Sequence, residues 1–216
     1  MVKVVVLDVD GTLMDTNYLH TEAWARAFEE VGHRVPRVRL HKEVGKGAEL
    51  LIREFVEDEE TIEKIQDLHS EFYGELQEYG HPLPGAKELI SSLKERGYEV
   101  WFVTSAKDEE LEHHLQELEA EDSIDGVVNS SDVENPKPAP DIFEVVLKKL
   151  GIEGADAVAI GDTPYDAEAA VRAGIKCFGV KSGGWSEKKL LAKGALRVFQ
   201  GIGEIELNYE KIDFES

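Results

Sequence analysis

The residues Val4, Val5, Val6 and Leu7 form an unbroken apolar run that ends in two acids, Asp8-Val9-Asp10, and a glycine, Gly11. A short, continuous, β-branched run predicts a strand buried on both faces, and such strands belong to parallel sheets covered by helices. Neighbouring strand residues point to opposite faces, so Asp8 and Asp10 are expected to share a side at the carboxyl end. Two carboxylates that close repel each other unless a cation lies between them. Gly11 supplies the sharp turn that follows. Two readings stand at this point: a metal-assisted site, or an Asx turn that closes the strand.

Strand signals recur at Val2 to Leu7, Glu99 to Val103, Gly126 to Val128, Ala157 to Ile160 and Lys176 to Val180. Helical patterns separate them, over Ala86 to Arg96, Asp108 to Leu118, Asp141 to Leu150 and Tyr165 to Ala173. Strand alternating with helix predicts an α/β fold, a doubly wound, Rossmann-like parallel sheet joined by right-handed crossovers. Ligands of such sheets bind beyond the carboxyl ends of the strands, where Asp8 and Asp10 fall.

One segment breaks the alternation. Between Leu13 and Pro82 the apolar spacing is helical only, over Tyr18 to Val31, Leu50 to Phe55 and Thr61 to Leu76. The expectation is a core of residues 1–14 and 83–216 with a helical cap of residues 15–82 inserted after the first strand. Its hinges would be Met14 to Asn17 and Tyr79 to Pro84. Such an insertion either excludes water from a strand-end site or merely thickens the core.

The chain carries 45 acidic residues against 24 basic ones, a formal net charge of −21. That balance argues against binding nucleic acid or anionic membranes, since both need a basic face. A phosphate substrate would need positive charge concentrated locally. The single cysteine, Cys177, cannot form an internal disulfide and reads as a small buried hydrophobe. No apolar run reaches membrane-spanning length, and a cytoplasmic protein, monomeric or weakly dimeric, is expected. Acid-rich runs such as Glu57-Asp58-Glu59-Glu60 fit helix starts. His113 and His114 are adjacent, lack metal-ligand spacing and are expected to be solvated. Ile202, Ile205, Leu207 and Tyr209 suggest a short helix packed on the sheet.

Three further pieces follow in order. Trp101 to Val103 delivers Thr104 and Ser105 just before a helix, as an anion cradle or as plain N-caps. In Asn135-Pro136-Lys137-Pro138-Ala139-Pro140 the prolines stiffen the chain around Lys137, which could offset phosphoryl charge; the other reading is a stiff loop entering a helix. Val158 to Ile160 runs into Gly161-Asp162, with Asp166 four residues on. Asp162 could complete an oxygen-only site with Asp8 and the Asp10 carbonyl, which suits magnesium, or could simply cap the helix before Pro164.

Together, Asp8-Val9-Asp10-Gly11-Thr12-Leu13, Thr104, Lys137-Pro138 and Gly161-Asp162 with Asp166 resemble the haloacid dehalogenase superfamily, in its phosphatase branch with a helical cap. The resemblance covers nearly the whole chain. It implies Asp8 as nucleophile and Asp10 as acid and then base. It also implies Gly11, Thr104, Ser105 and Lys137 around the phosphoryl group, and Mg2+ held by Asp8, Asp10 and Asp162, with Asp166 behind them. The implied substrate is a small phosphorylated metabolite.

Thr16, His20 and Trp24 look like the hinge and first cap helix of β-phosphoglucomutases, whose histidine there gates the acid. Those mutases carry cations around the cap-loop glycine where this chain has Val44 and Ala48. The loop Gly45-Lys46-Gly47 looks more like that of phosphoglycolate-phosphatase-type caps. Lys46 reads equally as a substrate contact or a solvated lysine. A phosphatase is therefore expected first, with a mutase, or a phosphate-binding scaffold without turnover, as alternatives.

Overall fold

The structure is a computed structural model that describes residues 2–106 and 108–208. It comprises six strands, β1 (Val4–Asp8), β2 (Glu99–Val103), β3 (Gly126–Val128), β4 (Ala157–Gly161), β5 (Lys176–Val180) and β6 (Ala195–Phe199). Helices α1 (Asn17–Glu30), α2 (Arg37–Leu40), α3 (Ala48–Arg53) and α4 (Glu59–Leu76) follow β1. Helices α5 (Ala86–Glu95), α6 (Asp108–Leu118), α7 (Asp141–Leu150), α8 (Pro164–Arg172), α9 (Glu187–Ala192) and α10 (Ile202–Asn208) lie along the rest of the chain.

The strands form one sheet in the order β3-β2-β1-β4-β5-β6, and every pairing is parallel. Val4 to Leu7 are wholly buried because helices cover both faces of the sheet. One face buries Val5, Leu7, Phe102 and Ile160 beneath α5 and α10. The other buries Val4, Val6, Val103 and Ala159 beneath α7 and α8. Burying one such side chain contributes about 1.5–3 kcal/mol.

Register sets the site. Asp8 pairs with Val103, and Leu7 with Ile160. Thr104 after β2 and Asp162 after β4 therefore both emerge one residue beyond the level of Asp8. The sheet order reverses direction at β1, which puts this edge at the switch point where ligands bind.

Residues of α1 to α4 bury their own apolar cluster, with Trp24, Phe28, Leu40, Ile52 and Ile65 at its centre. Two adjacent crossings join it to the sheet. Leu83 N donates to Leu13 O at 2.7 Å and Asp15 N to His81 O at 2.9 Å. Asp58 caps α4, its carboxylate accepting from Thr61 N at 2.9 Å, as the acid-rich run suggested.

Three features depart from the sequence reading. The sheet has a sixth strand, β6, whose Leu196 and Arg197 are exposed, so it lacks the apolar run of a buried strand. Helices α2 and α9 are too short to show a period. His114 is buried, not solvated, and His113 Nε2 lies 3.1 Å from the carbonyl of Gln77. The tail forms α10, with Ile202 and Ile205 in the core, and Cys177 is buried. Tyr209 lies outside the described residues. No helix among the described residues is long and apolar enough to cross a membrane.

Candidate active site

Asp8, Asp10, His20, Lys46, Ser105, Lys137 and Asp162 all line one cavity between the strand ends and α1 to α4. Its volume is about 100 Å³, room for a small molecule.

At its floor Asp8 is almost fully buried. Lys137 Nζ donates to Asp8 Oδ1 at 2.6 Å and to Asp166 Oδ1 at 2.8 Å. The loop that carries this lysine includes a cis peptide at Lys137-Pro138. Thr12 Oγ1 lies 3.1 Å from Asp8 Oδ2 and 3.2 Å from Asp162 Oδ1, and Asn17 Nδ2 donates to Asp162 Oδ2 at 2.8 Å. Asp166 opens α8 in a capping box: its Oδ2 accepts from Thr163 N at 3.0 Å and from Thr163 Oγ1 at 2.6 Å. Gly11 turns the chain at a φ of +76°, and a Cβ there would collide with Asn17 and Asp162. Its carbonyl accepts from Ser182 Oγ at 2.6 Å.

Oxygen atoms of Asp8, Asp162 and Asp166 lie within 4.8 Å of one another. Against three buried acids, Lys137 is the cation hydrogen-bonded among them. Burial, followed by the Asp166 charge, pushes Asp8 up to about 7 despite Lys137. Burial and the Asp8 charge raise Asp162 well above its usual range. Lys137 is raised as well: burial disfavours its charge, but Asp166 and Asp8 outweigh burial and hold it protonated. The cluster is short of positive charge, and its donors are all oxygen. Both properties fit a hard divalent cation.

Asp10 has different neighbours. Thr16 Oγ1 donates to its Oδ1 at 2.7 Å and Thr104 Oγ1 to its Oδ2 at 3.1 Å, while His20 Nε2 lies 3.3 Å from Oδ1. Burial alone would raise Asp10, but His114, His20 and Thr16 outweigh it and hold the carboxyl well below the usual range. His20 Nε2 also lies 3.1 Å from Glu110 Oε1. Burial would push His20 down; Glu110 and Asp10 instead raise it to about 10. The imidazolium stacks on Tyr73 with ring centroids 4.0 Å apart, and Trp24 stacks on His69 at 3.6 Å.

The sequence offers Thr104 as part of an anion cradle or as a plain N-cap. Its hydroxyl here donates to Asp10 and accepts from Ala106 N at 3.0 Å. Lys46 lines the cavity, engaged by Glu43 and by Glu54 at 3.0 Å. The sequence reading missed Asn17, Glu110, His114 and Tyr73. Tyr73 OH and His114 Nε2 meet at 3.2 Å between α4 and α6, a contact that only tertiary packing creates. Thr12 carried a signal, standing four residues after Asp8.

The sequence profile of the haloacid dehalogenase-like hydrolases matches residues 5–180. The phosphorylated carbohydrates phosphatase of Thermotoga maritima is 30% identical over 201 residues, 90% of this chain and 92% of that protein. A phosphoglycolate phosphatase of Pseudomonas savastanoi is 25% identical over 190 residues, 84% of this chain and 70% of that protein. The crystal structure of a hydrolase from Pseudomonas syringae superposes with a TM-score of 0.91 at 29% identity, covering 97% of this chain and 99% of that one.

Proposed function

Because this chain belongs to the haloacid dehalogenase-like hydrolases, we propose that it is a magnesium-dependent phosphatase, hydrolysing a small phosphorylated metabolite through an aspartyl-phosphate on Asp8. Residues 15–82 serve as its cap. The observation that carries this reading is the placing of two acids in one cavity with separate partners: Asp8 is bonded to Lys137 and grouped with Asp162 and Asp166, whereas Asp10 is ringed by Thr16, Thr104 and His20. Two carboxyl groups with divergent surroundings are the mark of divided roles. A halide leaves without a proton, so dehalogenation would need no second acid. An alcohol leaving from phosphorus does need one.

In the first step an oxygen of Asp8 bonds to phosphorus as the bond to the leaving oxygen breaks, and Asp10 gives that oxygen a proton. Asp10 is ionised in the free enzyme, so the proton it passes to the leaving oxygen enters with the substrate, bound as the phosphate ester monoanion. In the second step Asp10 takes a proton from water, the water oxygen bonds to phosphorus, and the Asp8 ester opens to release inorganic phosphate. Lys137 and the amides after Thr104 stabilise the phosphoryl oxygens. Asp8, Asp162 and the Asp10 carbonyl would hold magnesium, with Asp166 behind them, and the ion when bound supplies the charge that offsets carboxylate and phosphate. His20 steadies Asp10 from the cap.

Val44 and Ala48 favour hydrolysis over mutase action, because neither gives a doubly phosphorylated intermediate a cationic contact. The test is a screen of phosphorylated metabolites for phosphate release. Release that needs magnesium, stops with EDTA and is lost in D8N is expected. Retained turnover in D8N would reject the nucleophile, and primed conversion of β-glucose 1-phosphate to the 6-phosphate would favour the mutase.

A further inference from the structure

Lys46 sits at the tip of the loop between α2 and α3, at the mouth of the cavity. The loop rests on the sheet side of the site. Gly45 has a φ of +98°, and a Cβ there would press into Thr163; a Cβ on Gly47 would press into Pro136. Lys46 thereby lines the same cavity as the floor acids, with its ammonium 5.3 Å from the centroid of the Tyr165 ring. Its side chain is mostly buried, at 14% exposure.

Alone, such a lysine would attract a second anionic group on the substrate. It does not stand alone. Glu43 forms an ion pair with its amine, and Glu54 accepts from it at 3.0 Å. Two carboxylates against one ammonium leave this mouth with net negative charge. Glu110, held against His20, adds another acid to the same cavity. The remaining wall is apolar where Trp24, Val44, Ala48 and Leu51 face in.

We propose that Glu43 and Glu54 determine specificity by neutralising Lys46, so that the enzyme selects phosphomonoesters whose far end is uncharged and rejects those with a second carboxylate or phosphate. This rests on the phosphatase reading above and adds the substrate class. The two glutamates act through Lys46. A second anion would have to displace one of them or be buried beside it, and like-charge juxtaposition of that kind is costly.

The experiment compares 2-hydroxyethyl phosphate with phosphoglycolate, which differ chiefly in the charge at the far end, using the magnesium-loaded protein. Wild type is expected to favour the neutral substrate by about tenfold or more in kcat/KM, mainly through KM. E43Q/E54Q frees the lysine and should shift the ratio toward phosphoglycolate by about tenfold, with kcat for 2-hydroxyethyl phosphate unchanged. E54Q alone, at a half-exposed position, should shift it the same way and guards against misfolding of the double variant. A wild-type preference for phosphoglycolate, or a ratio unmoved in folded E54Q and E43Q/E54Q, would overturn the proposal and leave the phosphatase reading intact. Absence of phosphate release from any phosphomonoester would overturn the phosphatase reading, and this inference with it.

Discussion

The ammonium of Lys137 lies 2.6 Å from Asp8 Oδ1, and both side chains are buried. The same nitrogen reaches Asp166, so one lysine holds two acids that would otherwise repel. Removing one partner of a buried ion pair leaves uncompensated charge and costs about 3–5 kcal/mol. K137M should lose that much unfolding free energy in urea titrations without metal. D8N/K137M should recover part of it, because the two substitutions act within one network. Additive losses would deny the coupling.

Asp162 tells the opposite story. Its carboxylate is crowded by Asp8 and Asp166, while an amide oxygen in its place could still accept from Asn17. D162N should therefore stabilise the metal-free protein by about 1 kcal/mol, or roughly 3 °C in Tm. Millimolar magnesium should raise the Tm of the wild type and leave that of D162N nearly unchanged. Calorimetric scans with and without magnesium check both halves.

Cys177 gives a prediction in pH. Burial, and then the charges of Asp166 and Asp8, push its thiol above the ordinary value of 9.0. A folded-state pKa above the unfolded one leaves stability untouched below the unfolded value and erodes it as pH rises further. Wild type should lose more stability than C177A between roughly pH 9 and 10.5. At pH 8 the native thiol should resist Ellman's reagent and react only in denaturant. Prompt labelling of native protein would contradict its burial.

Ile205 of α10 is fully buried against the sheet. I205A should cost about 2–4 kcal/mol, as cavity-forming core substitutions do. Urea denaturation reads this directly, and a loss near zero would show that α10 contributes no core.

Much of the site was legible because parallel register makes it local. Asp8, Thr104 and Asp162 each follow a buried apolar run, and runs in register end together. The fold class followed from the same runs. What escaped depends on contacts between distant segments. Leu196 and Arg197 are exposed on the edge strand β6, so its sequence resembles a surface loop. Of two adjacent histidines, His114 is the one turned to Tyr73, and only the packing of α4 on α6 decides that. Lys46 gave no sign of its two glutamate partners, since Glu54 reaches it from beyond the next helix.

The chain passes between sheet and helices twice, and the two passages are laced together by Leu83 to Leu13 and Asp15 to His81. A pair of extended segments bonded edge to edge bends as a strap and resists shearing. Any swing of the helices would carry Thr16 and His20 along in step, since both follow directly from the strap, and would strip Asp10 of two donors in one movement. Admission of solvent to the cleft and release of the carboxyl from its restraints would then be a single event.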